Sequence, residues 1–118
     1  MSSVPIPFWN HSNVLPPINQ RNPTDIVDRS PYRVKLIDLV SRFGTTMERR
    51  ELLKGLLEFR SELHRIGLVD GIQWLDGSFI ENVEEIEGRH PKDIDVVTFL
   101  FKFPDKFSPS PDDARLFE

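Results

Sequence analysis

Two short motifs in the second half of the chain have residue types that can act on a phosphate ester. Gly77 and Ser78 follow a strand-like segment, and Asp93 and Asp95 stand at the start of an apolar run. Because strand side chains alternate between two faces, both aspartates are expected to project from the same face. Neighbouring carboxylates repel each other unless a cation lies between them, and Mg²⁺ or Mn²⁺ prefers oxygen ligands. The Asp pair is therefore a candidate metal site.

The Gly77-Ser78 pair has the residue types of a phosphate-binding turn. A glycine lets a phosphate approach the backbone closely because it has no Cβ. Ser78 adds a hydroxyl and a backbone N–H, which favour anions when they lie at the start of a helix. Arg89 and Lys92 flank the Asp pair and are candidate nucleotide-binding residues, with ion pairs to nearby glutamates as the alternative. A phosphate turn beside metal carboxylates indicates phosphoryl or nucleotidyl transfer.

The stretch from Trp74 to Phe99 resembles the nucleotidyltransferase superfamily, whose signature is a Gly-Ser turn followed by an Asp-x-Asp pair on a strand. In particular, it is similar to small bacterial proteins known only as nucleotidyltransferase-like. The resemblance implies that Gly77 and Ser78 hold the terminal phosphates of a nucleoside triphosphate. It also implies that Asp93 and Asp95 are the catalytic, metal-binding carboxylates of a two-metal site, which activates an attacking hydroxyl and stabilises the pyrophosphate leaving group.

The superfamily also implies a third carboxylate on a later strand, and here the sequence departs from the pattern. The acidic residues after Asp95 lie in proline-rich or terminal sequence: Asp105, Asp112, Asp113 and Glu118. Three explanations stay open, namely a piece of a longer enzyme, a truncated inactive relative, or a site completed by another subunit. The expected function is nucleotidyl transfer to an unknown acceptor hydroxyl. The alternative is a catalytically incomplete module that binds a partner protein, in an antitoxin-like or subunit role.

Two helices with charged outer faces are predicted before these motifs. The first is expected to begin with Ser30 as its N-cap and Pro31 in its first turn, and to end at Gly44. The second is expected to begin at a capping box over Thr45–Glu48 and to end at Gly67. Apolar residues recur at helical spacing in both segments.

Two strands and a short connection follow. Residues 72–76 are predicted to form a strand, and residues 79–87 a short helix or an irregular connection. Residues 94–101 are apolar on both faces, which is typical of a central strand. Trp74 is expected to pack in the core, with stacking on a base as the alternative. The predicted fold is α/β (α+β) and nucleotidyltransferase-like, with two N-terminal helices packed on a small mixed sheet.

Proline divides the chain into an N-terminal arm (1–30), a nucleotidyltransferase-like core (31–103) and a C-terminal tail (104–118). Proline fixes φ and removes a hydrogen-bond donor, so the arm is expected to be extended. Its apolar side chains predict that it packs on the helices or on a neighbouring chain. The side chains on which this prediction depends are Phe8, Trp9, Leu15 and Ile18.

Composition restricts the classes of partner. The net charge is −4 and the pI is about 5.4, which argues against duplex DNA and anionic membranes as partners. The chain has no cysteine, which excludes thiolate zinc sites and cysteine nucleophiles. No secretory signal is recognised at the start. We therefore expect a cytoplasmic protein that binds a nucleoside triphosphate with Mg²⁺ or Mn²⁺, and that also binds a partner protein or a second copy.

Overall fold

The structure, a computed structural model, describes residues 6–17 and 30–102. These residues form three α-helices, one 3₁₀ turn and two strands. The small α/β domain agrees with the predicted fold class. In chain order the elements are α1 (Leu36–Phe43), α2 (Met47–Arg65), β1 (Gly71–Asp76), the 3₁₀ turn (Ser78–Ile80), α3 (Val83–Glu87) and β2 (Asp95–Leu100).

Helix α1 begins later than the sequence predicts. Its N-cap is Lys35, whose side chain makes no capping hydrogen bond, so the prediction of Ser30 as the N-cap is wrong. The backbone N–H of Ser30 donates to the carbonyl of Pro17 at 2.9 Å, and the Tyr32 hydroxyl donates to the carbonyl of Pro16 at 2.6 Å. These contacts hold residues 30–32 against Pro16 and Pro17. In this position they cannot form the first turn of a helix. The predicted end at Gly44 is confirmed.

Helix α2 begins one residue later than predicted. Its N-cap is Thr46, whose hydroxyl accepts the N–H of Arg49 at 3.1 Å, so the prediction of Thr45 is wrong by one position. The helix spans 19 residues and ends before Gly67, which has a φ of 91°. Within the described ranges, no helix is long and apolar enough to cross a membrane.

The sheet consists of β1 and β2, paired antiparallel from Gly71↔Leu100 to Asp76↔Asp95. The prediction of a mixed sheet is therefore wrong for the described residues. The 3₁₀ turn and α3 return the chain beside β1 in the opposite direction, and residues 30–102 provide no third strand to form a parallel pair. The strand predicted at 72–76 is confirmed. The second strand begins at Asp95, so the prediction that Asp93 lies on it is wrong.

The core lies between the two long helices and the 3₁₀ turn. Phe79 of the turn is 0% exposed, and its ring lies 5.8 Å from that of Phe43 in α1. Burial of this phenylalanine, worth roughly 1.5–3 kcal/mol, fixes the position of the segment that follows Gly77. The buried cluster comprises Leu39, Phe43, Leu53, Leu56 and Phe79.

The arm packs on this core, as the sequence predicts for Trp9 and Leu15. The Trp9 ring lies 6.2 Å from the ring of Phe43. The prediction is wrong for Phe8, whose side chain is 84% exposed. Ile18 lies outside the described residues.

The outward face of the sheet is exposed. Trp74 is 49% exposed, so its predicted place in the core is wrong. In the described part of the chain β2 pairs only with β1, and its outward side chains lack the cover expected of a central strand. An alternating pattern identifies two faces of a strand but does not determine whether both are covered.

Candidate functional site

The turn after β1 requires a glycine. Gly77 has φ 85° and ψ −167°, a conformation that residues with a side chain rarely adopt. A Cβ at this position would also overlap the carboxylate of Asp95. The structure therefore brings two of the predicted site residues, Gly77 and Asp95, into direct contact at one end of the sheet.

Asp76 is a further acidic residue at this end that sequence reasoning missed. It lies directly opposite Asp95 in the register of the sheet, and its Oδ1 accepts the N–H of Gly77 at 2.8 Å. Like charges directly opposite each other on paired strands are destabilising. The signal was present in the sequence, since Asp76 immediately precedes the Gly-Ser pair at the end of a predicted strand.

Asp93 and Ser78 lie at the same end of the sheet. Asp93 is exposed and precedes the first residue of β2 by two positions, and Ser78 follows the last residue of β1 by two positions. Ser78 is partly buried and begins the 3₁₀ turn, where its carbonyl accepts the N–H of Glu81 at 3.1 Å. The carboxylates of Asp76, Asp93 and Asp95 thus lie at the same end of the sheet as the Gly-Ser turn. No group of three or more acidic, His or Cys side chains within residues 6–17 and 30–102 is arranged to hold a metal ion.

Arg49 is the buried residue that positions this turn, although the charged residues of the two helices were predicted to lie on outer faces. It is only 1% exposed, so that prediction is wrong. Its Nη1 donates to the carbonyl of Phe79 at 2.5 Å, and its Nη2 donates to the carbonyl of Glu81 at 2.6 Å. A signal existed, because Arg49 precedes the buried Leu53 and Leu56 by four and seven residues and so shares their helix face.

Glu84 in α3 is the acidic partner of Arg49. Arg49 Nε lies 2.7 Å from Glu84 Oε2, and Arg49 Nη2 lies 2.9 Å from Glu84 Oε1. These hydrogen bonds from Arg49 lower the pKa of Glu84, although partial burial opposes the shift. A bidentate pair of this kind fixes both position and orientation. Residues 78–84 are thereby attached to α2.

The arm holds the same segment from the other side. Trp9 Nε1 donates to the carbonyl of Ile80 at 2.8 Å. The backbone N–H of Asn82 donates to the carbonyl of Asn13 at 2.9 Å, and its side-chain amide donates to Asn13 Oδ1 at 3.2 Å. The segment after Ser78 is therefore fixed by both α2 and the arm, which leaves the Gly-Ser turn little freedom.

Arg42 is stacked on the aromatic residues of the arm and α1. Its guanidinium carbon lies 4.3 Å from the centroid of Trp9 and 5.1 Å from that of Phe43. Burial, and then the charge of Arg49, lower the pKa of Arg42. Its buried Nε and Nη2 have no hydrogen-bond partner among the described residues. Stacking on the rings compensates part of this desolvation.

The two predicted basic ligands differ in their surroundings. Arg89 Nη2 lies 2.7 Å from Glu87 Oε2, so the ion-pair alternative is confirmed for this residue. Its Nη1 also donates to the carbonyl of His90 at 3.1 Å. Lys92 is exposed. Neither observation tests binding of phosphate oxygens by these two side chains, which stays a prediction.

The candidates for a third carboxylate lie outside the described residues: Asp105, Asp112, Asp113 and Glu118.

Comparison with known families gives a match over residues 7–117 to DUF6932, described as a family of unknown function. The chain belongs to the DUF6932 family. No curated protein and no solved structure matches the chain. The DUF6932 match includes residues 7–30 of the arm, both long helices and the candidate site around Gly77 and Asp95.

Proposed function

We propose that this DUF6932 protein transfers a nucleotidyl group from a nucleoside triphosphate to an acceptor hydroxyl, with Mg²⁺ or Mn²⁺ as cofactor. The observation that carries the proposal is the contact between the Gly77 backbone and the Asp95 carboxylate. A phosphate bound at the Gly77-Ser78 turn would lie beside the Asp95 carboxylate, which could hold a divalent ion together with it. The resemblance of residues 74–99 to nucleotidyltransferases supports the same reaction.

Each residue has a defined role in the proposal. Ser78 binds a terminal phosphate oxygen through its hydroxyl, and Gly77 allows the positive φ that places the turn beside Asp95. Asp93 and Asp95 would supply two oxygen ligands and the triphosphate the others, while Asp76 lies opposite Asp95 at the same end of the sheet. These donors have the chemistry that Mg²⁺ and Mn²⁺ prefer. When bound, such an ion stabilises negative charge on the phosphates.

A second function is a module that keeps this fold and binds a partner protein without catalysis. The observation that favours it is that the described residues contain no group of three side chains arranged to hold a metal ion. A nucleotidyltransferase needs a complete set of metal ligands. The two functions therefore differ in whether a divalent ion and a nucleotide bind together.

The deciding experiment is calorimetry on the full chain with ATP, GTP, CTP and UTP, each with and without Mn²⁺. We expect triphosphate binding that Mn²⁺ strengthens, because phosphates and carboxylates supply oxygen ligands to the same ion. Asp93→Asn combined with Asp95→Asn should abolish this coupling. Asp70→Asn, which alters an exposed aspartate at the opposite end of β1, should not change it.

The Ser78→Ala variant tests the phosphate contact separately. Loss of its charge-assisted hydrogen bond should weaken triphosphate binding by about 1–2 kcal/mol. If none of the four triphosphates binds at millimolar concentration, the catalytic proposal fails. The partner-binding function then replaces it.

A further inference from the structure

A strip of apolar side chains covers the outward face of the sheet. Trp74 and Ile72 lie on β1, with exposed fractions of 49% and 40%. Opposite them on β2 lie Val97 and Phe99, which are 52% and 40% exposed. Exposing this much apolar surface is unfavourable, and such patches mark binding surfaces.

The apolar strip lies next to the acidic end of the sheet, which is formed by Asp76 and Asp95. Trp74 pairs with Val97, and the next pair on the same face is Asp76 with Asp95. Two residues along a strand cover about 6.8 Å. The Trp74 ring therefore stands one side-chain position from the carboxylates and from Gly77, on the same face.

Trp74 is held in place by its neighbour across the strands. Its ring packs edge-on against Phe99, with centroids 5.1 Å apart and an interplanar angle of 63°. This arrangement is favourable between aromatic rings. It restricts the tryptophan while about half of its surface stays exposed. A flat ligand that stacks on this ring has little side-chain entropy to overcome.

We infer that Trp74 is the stacking platform for the base of the nucleoside triphosphate, an inference that rests on the proposed function. A nucleotide has a flat apolar end and an anionic end, joined by a ribose. The sheet offers the matching order, with an aromatic ring at Trp74, then the carboxylates, then the Gly77-Ser78 turn. Because every base has a π-face, stacking here accepts all four bases.

A second copy of the chain fits this face less well. If the sheets of two copies stacked face to face with their acidic ends together, Asp76 and Asp95 would face the same carboxylates of the partner copy. If the acidic end of one sheet met the apolar end of the other, these carboxylates would be buried against apolar side chains. Repulsion in the first case and desolvation in the second both oppose the contact. With a nucleotide, a divalent ion between the phosphates and the carboxylates would offset the repulsion.

The test compares nucleoside triphosphates with inorganic tripolyphosphate, both with Mn²⁺, by calorimetry on the full chain. The wild-type protein should bind the nucleotides more tightly, since tripolyphosphate has no base. Trp74→Ala should weaken nucleotide binding about tenfold and leave tripolyphosphate binding unchanged. Trp74→Phe should retain most of the nucleotide affinity. Ile72→Ala, on the same face but further from the carboxylates, is the matched control and should have little effect.

The outcomes separate this inference from the proposed function. If tripolyphosphate binds with Mn²⁺ but Trp74→Ala binds nucleotides as the wild type does, the base-stacking inference is wrong and the proposed function stands. If neither tripolyphosphate nor any nucleotide binds, both are wrong. Should Trp74→Ala fail to fold, Trp74→Leu preserves apolar bulk without a π-face. Undiminished nucleotide affinity in Trp74→Leu would overturn the inference. A loss of self-association in this variant, without loss of nucleotide affinity, would also overturn it.

Discussion

Arg49 and Glu84 form a bidentate ion pair between α2 and α3, with N–O distances of 2.7 and 2.9 Å. The Arg49 side chain is 1% exposed and that of Glu84 is 28% exposed. The same guanidinium donates to the carbonyls of Phe79 and Glu81, immediately after the Gly-Ser turn. A buried charge with these partners fixes the position of the turn from the side of α2, while the arm holds it from the other side. Its removal should affect both stability and nucleotide binding.

The first prediction concerns the loss of either member of this pair. Arg49→Met leaves Glu84 and two backbone carbonyls without their donor, and should lower the free energy of unfolding by about 3–5 kcal/mol. Glu84→Gln keeps one acceptor and should cost about 1.5–3 kcal/mol. Urea unfolding followed by circular dichroism measures both.

The matched control for Glu84→Gln is Glu62→Gln. Glu62 pairs with Arg65 at 2.8 Å, but both side chains are about half exposed. An exposed pair contributes little, so this variant should change the free energy of unfolding by less than about 0.5 kcal/mol. Equal effects of the two substitutions would contradict the structural role of Glu84.

The second prediction concerns pH. The hydrogen bonds from Arg49 lower the pKa of Glu84 in the folded protein. Its contribution to stability is therefore complete above the ordinary glutamate pKa of about 4.3 and is lost as the pH falls through the lower folded value. The stability difference between the wild type and Glu84→Gln should thus decrease from about pH 5 to pH 3. A difference that stays constant over this range would refute the prediction.

Sequence patterns predicted the parts of the fold that have local causes. Gly44 ends α1 and the strand before Gly77 is present, because glycine positions and apolar alternation act within a few residues. The start of α1 was not predictable in this way. Ser30 donates to the carbonyl of Pro17 and Tyr32 to that of Pro16, and no spacing rule encodes such contacts between separate parts of the chain.

The positions of the candidate site residues were predictable to a similar extent. Gly77 and Asp95 meet as the spacing of the motifs predicts, because both stand at the end of a predicted strand. Arg49 was missed because an arginine within a charged helix is usually solvated, and its buried partners lie 30 residues or more away in sequence. Trp74 was placed in the core because one strand does not reveal which of its faces is covered.

The third prediction concerns Gly77→Ala. An alanine there must adopt the positive φ and extended ψ of Gly77, which costs roughly 1–3 kcal/mol, and its methyl group displaces the Asp95 carboxylate. Stability should fall by at least this amount, and triphosphate binding with Mn²⁺ should weaken. The control is Gly55→Ala in α2, where a Cβ meets nothing within 4 Å. This change should stabilise the protein by about 0.5–1 kcal/mol and leave binding unchanged.

The fourth prediction concerns the arm. Trp9→Ala removes a ring that packs on Phe43 and the hydrogen bond to the carbonyl of Ile80. The free energy of unfolding should fall by about 3 kcal/mol, and limited proteolysis should cleave the arm faster, because the ring packs on the core and bonds the segment after Ser78. Phe8→Ala, an exposed neighbour, is the control and should change stability by less than about 0.5 kcal/mol. An arm equally resistant to protease in both variants would show that Trp9 does not hold it, and that the backbone contact between Asn13 and Asn82 suffices.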